Sequence, residues 1–436
     1  MSFRIALTVG VLVCCAAAAD KPLTEAQRRL NIESFEHVWT TVRDRHWDPK
    51  LNGVDWQGVH DELRPRIEKA KTMTEARAIM SDMLARLKET HFGIAPADLY
   101  DDMGSDDDDA GGGAKPSHEG NPGITLRVID GHALVTAVDG HSPAAGAGVK
   151  PGWEVLRVDG KDLSKRLKRV RGEFASSTLL DLLEERSASG PLTGDVGSSV
   201  KVAFLDGAGH ASDLTLERIR PRGVLARLGN LPPLYFWVEA RKVRPDVGYV
   251  RFNIFFQPDD IIKSVREMVA ACGDCNGMVI DLRGNPGGIA GLAMGLAGWF
   301  VDKGGQQLGT MYLRESNLKF VVFARPQPFR GPLAILVDGC SASTSEIFAE
   351  GMKDMDRARI FGTRTAGAAL PSVFERLPNG DGFQYAIANY ISLSGKPLEG
   401  IGVIPDQEVR LTRQALAAGQ DPVLDAAVAW IETQKK

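Results

Sequence analysis

Cysteine is scarce in this chain. Only five of 436 residues are cysteine, and two of them, Cys14 and Cys15, fall in the first twenty positions. That excludes a disulfide framework as the source of stability. A chain of this length, 43% hydrophobic and 25% charged, folds instead around the apolar cores of about two or three domains. Histidine is absent from the second half, since all eight lie at or before residue 210. Zinc on the Cys272-Gly-Asp-Cys275 pair would need two more ligands, and only one further cysteine remains there. The pair therefore reads as structural or unpaired, with a local disulfide as one form of it, and no metal or cofactor is expected. Excess basic charge is missing too: a net charge of −4 gives nucleic acid or acidic lipid no global field to follow. The short run Lys165, Arg166, Lys168, Arg169 and Arg171 reads as a solvated helix face. After the first twenty residues no apolar stretch reaches the roughly eighteen residues of a membrane helix.

The first nineteen residues carry Arg4, an apolar run from Ile5 to Val13, and small residues at Ala16 to Ala19. This is the pattern of a secretory signal cleaved before Asp20. A lipid anchor through Cys14 or Cys15 is the weaker alternative, because neither is preceded by Gly or Ala. An exported, periplasmic protein without a membrane span after cleavage is the expectation.

Chemistry is concentrated in residues 331–351, GPLAILVDGCSASTSEIFAEG. An apolar run, Leu333 to Val337, reads as a buried strand, and Ser345, Glu346, Ile347 and Phe348 open an amphipathic helix. A hydroxyl on the turn between them stands beside helix N-terminal N–H groups, where negative charge on a substrate oxygen is stabilised. Ser343 is the candidate nucleophile, although Ser and Thr before a helix also serve as ordinary caps. A second strand, MVIDL, runs into the glycine-rich loop of residues 277–288, GMVIDLRGNPGG, whose N–H groups are free to point at an anion. Two such edges supply the two halves of an oxyanion hole.

The pair DLRGNPGG and SASTSEIFA, followed by Gly362-Thr363-Arg364-Thr365-Ala366-Gly367, resembles the serine peptidases of the tail-specific (C-terminal processing) and tricorn-core family. The segment LEGIGVIPD at 398–406 resembles the family's closing motif, and VGYVRF at 247–252 its opening strand. The resemblance spans roughly residues 234–409. It implies an α/β fold with a crotonase-like or ClpP-like peptidase core, and the alternation of strands and helices after residue 234 agrees with it.

Around that core the chain divides into residues 1–19 (signal), 20–99 (helical module), 100–120 (acidic, glycine-rich linker), 121–219 (inserted domain) and 220–436 (core). The Thr24-Glu-Ala-Gln capping box opens the first helix, which reaches about Trp47. A second helix covers Trp56 to Lys69, and a third Thr74 to about Thr90. The stretch HWDPKLNGVDW at 46–56 resembles the region before the core in tricorn-like members. The linker's aspartates lack the alternating spacing of a calcium loop and read as disordered. In the β-rich insert, residues 142–160 resemble a bacterial PDZ domain. The N–H groups of a Gly123-Ile124-Thr125-Leu126 loop would then receive a peptide's C-terminal carboxylate while the peptide adds a strand to the sheet edge. A small domain that only spaces or gates the catalytic unit is the plainer reading.

A serine needs a base to take its proton. Better-known tail-specific members use a lysine where this chain has Ala368, so that dyad is absent. A histidine base must come from outside the core, and His91 is best placed, at the end of the third helix near the apolar stripe of Ile79 and Met83. The segment Arg86-Leu-Lys-Glu-Thr-His-Phe-Gly resembles the tricorn-like motif in which a serine-histidine pair reaches the catalytic serine, with Thr90 in place of that serine. The resemblance aligns Glu399 as the acidic member, and places the oxyanion hole at the N–H of Thr344 and of Gly287 or Gly288. Activity should then rise with pH through a histidine transition at roughly 6 to 7. The expected function is an exported serine endopeptidase acting on protein or peptide substrates through an acyl-enzyme on Ser343, selecting them by a free C-terminus. The oligomeric state is left open. The alternatives are a non-proteolytic hydrophobic-ligand or peptide-binding protein on the same core and, more distantly, an acyl-CoA enzyme.

Overall fold

The structure, a computed structural model, describes residues 21–97, 119–175, 177–226 and 234–434. The expected signal and nearly all of the acidic linker lie outside them. Thr24 caps helix α1 (Glu25–Arg45) as a capping box, its hydroxyl accepting from the Gln27 N–H while the Gln27 side chain accepts from the Thr24 N–H. Helix α2 (Trp56–Lys69) follows with Asp55 at its N-cap, and α3 (Met73–Ala85) with Thr72. Their apolar faces bury Phe35, Val38, Leu63, Met80 and Met83 together with Val373, Phe383 and Tyr385 from far along the chain. Strand β1 (Gly93–Ala95) pairs antiparallel with the strand Gly382–Ala386, and fully buried Asp381 receives a two-pronged hydrogen bond from Arg77 at 2.9 and 3.0 Å. The helical module is thus packed into the core by shared apolar side chains.

Helix α3 stops at Ala85 rather than near Thr90, and His91 is not on its apolar stripe. The chain leaves the helix through tight turns, with the N–H groups of Leu87 and Lys88 donating to the carbonyls of Leu84 and Ala85. Lys88 then takes φ +56° and His91 φ +61°, left-handed values that end any helix.

The inserted unit is an antiparallel sheet of β2 (Ile124–Ile129), β3 (His132–Val138), β4 (Glu154–Val158), β5 (Ser199–Leu205) and β6 (Ala211–Glu217), hydrogen-bonded in that order. It closes over its own core of Val135, Val155, Val202, Phe204 and Leu216. Two helices lie between β4 and β5: α4 (Leu163–Phe174), which carries the basic run, and α5 (Leu180–Ser189). Arg166 donates to Ser187 Oγ, and Arg171 grips Glu184 with both arms, so α4 holds α5 in place. The Gly-Ile-Thr-Leu segment is not a loop. Ile124, Thr125 and Leu126 begin the edge strand β2, and the Gly123 N–H already donates to Asn121 Oδ1 at 2.7 Å.

The core is mixed α/β. Its main sheet contains β7 (Val238–Arg244), β8 (Val247–Phe252), β9 (Gly277–Asp281), and, after the outlying hairpin of β10 (Gln306–Leu313) and β11 (Asn317–Val322), β12 (Leu333–Val337) and β13 (Arg359–Gly362). Strands β14 (Ser372–Arg376) and β15 (Gly382–Ala386) extend toward β1, β16 (Ala388–Ser392) joins the hairpin, and β17 (Gln407–Glu408) closes the main sheet. The order β7-β8-β9-β12-β13-β17 is parallel apart from the β7–β8 pair. Helix α9 (Pro422–Thr433) covers one face; α6 (Pro258–Ala271), α7 (Gly291–Ala297) and α8 (Thr344–Asp354) cover the other. Every residue of β9 and β12 is buried, as strands covered on both faces must be. Cys272 and Cys275 are joined as a local disulfide at the end of α6.

Candidate active site

The glycine loop after β9 and the serine turn after β12 both leave the carboxyl ends of parallel strands, where open α/β sheets place their ligands. Hydrogen bonds fasten the two together. The Ala342 N–H and Ser345 Oγ donate to the Asn285 carbonyl at 3.1 and 2.9 Å, Thr344 Oγ1 donates to the Gly288 carbonyl at 2.8 Å, and Ser341 Oγ to that of Leu282 at 2.7 Å. Below the loop, buried Asp281 binds Arg283, which also grips Asp421 of the C-terminal segment. Burial works against the Asp281 charge, yet Arg283 and Arg251 hold its carboxyl well below the usual carboxylate range.

Ser343 caps α8 at φ +53°, a sparsely populated conformation for a residue with a Cβ. Glu346 imposes it. This fully buried carboxylate accepts from the Ser343 N–H (2.9 Å), the Ala368 N–H (3.0 Å), the Gly367 N–H (2.7 Å) and Thr365 Oγ1 (2.5 Å). Burial pushes it up to about 7 despite those four donors. The Gly287 N–H is spent on Asn285 Oδ1 at 2.9 Å, and a side chain at Gly287 would meet Ser343 Cβ and the Thr344 nitrogen at 2.8 Å. The N–H groups of Gly288 and Thr344 have no hydrogen-bond partner among the described residues.

His91, Thr90 and Glu399 come together. Glu399 accepts from the Thr90 N–H at 2.7 Å, from Thr90 Oγ1 at 3.0 Å and from the Ala369 N–H at 3.2 Å, while Thr90 Oγ1 stands 2.6 Å from His91 Nδ1. The hydroxyl has one proton. Given to the ionised Glu399, it leaves Thr90 Oγ1 to accept from Nδ1–H, so the neutral imidazole carries its lone pair on Nε2. That Nε2 is buried and has no partner. Segment 366–369 ties this group to the serine, since the Ser343 N–H donates to the Ala368 carbonyl at 2.9 Å and the next residue, Ala369, donates to Glu399. Lys353 is taken up by the Ile404 carbonyl at 2.6 Å and Asp406 at 3.1 Å.

The site is covered from above by α5. Leu182 packs with Cys340, Ala342, Ala366 and Ala368; a Cβ on Gly339 would meet Asp181 Oδ2 at 2.1 Å, and one on Gly367 would meet Thr178 Oγ1 at 2.8 Å. Arg127 of β2 reaches Asp338 of the serine turn at 3.0 Å. Ser343 is consequently 5% exposed and His91 1%. Burial, with a smaller contribution from the Arg186 charge on α5, pushes His91 down to about 3, and burial raises Glu399 to about 7. The histidine transition at 6 to 7 read from the sequence therefore belongs to an exposed ring, which this is not. Sequence reasoning passed over Glu346, Asn285, Arg283 and the Arg127–Asp338 pair. Each supports the serine turn or the glycine loop without contributing a reactive atom.

Residues 246–409 match the family model described as peptidase family S41, and residues 32–85 match that of the tricorn protease C1 domain. Carboxyl-terminal-processing peptidase 2, chloroplastic, of Arabidopsis thaliana is 27% identical over 380 residues, 85% of this chain and 67% of that protein. The carboxyl-terminal-processing protease of Picosynechococcus sp. is 26% identical over 386 residues, 85% of this chain and 81% of its own length. The solved structure of a photosystem II D1 C-terminal processing protease superposes with a TM-score of 0.56 at 20% identity, covering 92% of this chain and 99% of that one.

Proposed function

We propose that this chain, a serine peptidase with a family S41 core, cuts its protein or peptide substrates with Ser343 as nucleophile and His91 as base. The observation that carries the reading is His91 Nε2, a buried ring nitrogen without a partner at the end of the Glu399–Thr90–His91 chain. Buried polar atoms are nearly always paired; of the five unpaired side-chain atoms among the described residues, this one alone ends a carboxylate–hydroxyl–imidazole chain, the place of a proton acceptor. In the reaction Ser343 Oγ attacks the scissile carbonyl and gives its proton to Nε2; the oxyanion takes the N–H groups of Thr344 and Gly288. His91 returns the proton to the leaving amine, and water releases the acyl group by the same path in reverse. Gly287 shapes the pocket by having no side chain.

The described arrangement is closed, and no Ser343–His91 hydrogen bond is made in it. Displacement of α5 has to precede attack. The insert at 121–219 is read as a PDZ-like peptide receptor, with Ile124, Thr125 and Leu126 on an edge strand that pairs only with β3 among the described residues. A substrate's free C-terminus added there lies beside α5. Export through residues 1–19 and a periplasmic location complete the proposal; no helix among the described residues is long and apolar enough to cross a membrane.

Labelling with a fluorophosphonate tests it. Wild-type protein should react at one serine, and Ser343→Ala should abolish both labelling and cleavage of unfolded casein. Undiminished cleavage by Ser343→Ala overturns the nucleophile. Labelling without any cleavage favours the binding-protein alternative.

A further inference from the structure

The segment HWDPKLNG at 46–53 supplies no atom to the reaction outlined above, yet its side chains converge on the residue two positions before His91. Glu89 Oε2 lies 2.8 Å from His46 Nε2, and Glu89 Oε1 accepts from Trp47 Nε1 at 3.1 Å and Asn52 Nδ2 at 2.8 Å. The His46 side chain is 0% exposed and that of Glu89 7%. On the other side of His91, the Phe92 ring stacks on the same imidazole, centroids 5.6 Å apart and planes within 17°. His46 therefore touches the residue before and the residue after the Thr90-His91 pair. The clasp is itself braced, because the Asp48 carboxylate accepts from the N–H groups of Lys50 and Asn52 at 2.9 and 2.8 Å.

The turn needs an external hold. Lys88 and His91 both sit at left-handed φ, which side chains with a Cβ keep only where their surroundings impose it. Glu399 fixes the turn from the core side through Thr90; Glu89 fixes it from the helical module. We infer that Glu89, clasped by His46, Trp47 and Asn52, is the positioning residue that fixes the Thr90–His91 turn and so the place from which His91 Nε2 reaches Ser343 once α5 has moved. This rests on His91 being the base. A reacting atom displaced by about 1 Å costs on the order of a hundredfold in rate, so loosening the clasp acts on turnover rather than on substrate affinity.

The test compares Glu89→Ala, Glu89→Gln, Asn52→Asp and His91→Ala in the full chain, with casein turnover and fluorophosphonate labelling measured per folded molecule. Glu89→Ala should lower kcat by about tenfold or more and leave KM within about twofold. Glu89→Gln should stay within about threefold of wild type, since its amide oxygen keeps the Trp47 and Asn52 donors. Its amide NH2 can donate to His46 Nε2 once the ring carries its proton on Nδ1, which then donates to the Asp48 carbonyl at 3.0 Å and gives up the Asp48 N–H that Nδ1 can otherwise accept, also at 3.0 Å. Asn52→Asp, at an exposed position, puts a like charge beside Glu89 without endangering the fold and should lower kcat several-fold at constant KM. If Glu89→Ala does not fold, Asn52→Asp decides. Wild-type kcat in the clasp variants, even with lowered melting temperatures, reduces the clasp to structural support and overturns the inference. Retained activity in His91→Ala removes the base assignment beneath it instead.

Discussion

Thr90 gives both its N–H and its hydroxyl to the carboxylate of Glu399, at 2.7 and 3.0 Å, across 309 positions of the chain. The direction of that hydroxyl decides which His91 nitrogen holds the proton, so the charge state of Glu399 governs whether Nε2 carries the lone pair that the proposed reaction needs.

The pH dependence should accordingly follow Glu399. Burial raises it to about 7, so as pH falls through 7 the carboxyl takes up a proton, becomes a donor itself, and releases the Thr90 hydroxyl. Burial and the Arg186 charge on α5 push His91 down to about 3 in the covered site; moving α5 relieves part of this and lets His91 rise toward its ordinary value, so the limb that belongs to Glu399 is the one lost in Glu399→Gln. Fluorophosphonate labelling should fall on the acid side of about pH 7. In Glu399→Gln the rate should be lower by more than about tenfold and the limb should vanish. A limb unchanged in Glu399→Gln would assign it to another group.

For the base itself, His91→Ala should cost about as much as Ser343→Ala, because members of such a unit fail together. Thr90→Ala should be milder than Glu399→Gln. Lys353→Met and Lys396→Met should keep turnover within about threefold. Casein turnover decides, and loss of activity in Lys396→Met would put a lysine in the place given to His91.

Glu346→Gln should damage both stability and rate. The amide places an NH2 against two of four N–H or O–H donors, a mismatch of about 1–3 kcal/mol, and Ser343 loses its hold. The wild-type folded state raises this carboxyl from 4.5 to about 7, so its contribution to stability is complete below 4.5 and is lost as pH rises through 7. Urea midpoints at pH 5 and pH 8 should therefore differ less in Glu346→Gln than in wild type. An equal difference would mean that the carboxyl titrates alike folded and unfolded.

The cover can be pried away by one methyl group. Gly339→Ala would set a Cβ 2.1 Å from Asp181 Oδ2 and 2.5 Å from Asp181 Cβ, so α5 must shift. Labelling of Ser343 should speed up by about tenfold or more, and adding Asp181→Gly, which removes the clashing Cβ as well as the carboxylate, should slow it again by making room. No acceleration in Gly339→Ala would mean that α5 does not limit access.

How far the sequence could be read depended on distance along the chain. Leu333 to Val337 and Val247 to Phe252 form the expected strands to the residue; the first is a fully buried strand written as an unbroken apolar run, the second is interrupted only by half-buried Arg251 and by Gly248. Ser343 and the glycine loop were legible as strand ends. His91, Thr90 and Glu399 come from the resemblance alone; the structure brings these three together without a hydrogen bond from His91 to Ser343. The helix carrying His91 was overextended, because Lys88 takes a left-handed φ without the glycine that usually announces such a stop. Glu346 was read as one more helix residue. Its four partners lie at positions 343, 365, 367 and 368, and no local pattern encodes that convergence.

Strand β1, three residues long, pairs with β15 nearly three hundred positions later, and the turn bearing His91 leads directly into it. His91 and Glu399 are thus brought together by one of the more distant closures in the chain, the kind that loop entropy makes slow to form. A growing or partly folded chain can already hold the serine elbow without holding a protease. On the proposed reading, competence to cut would arrive only with completion of the fold, and an unfinished copy would hold the serine elbow without its base.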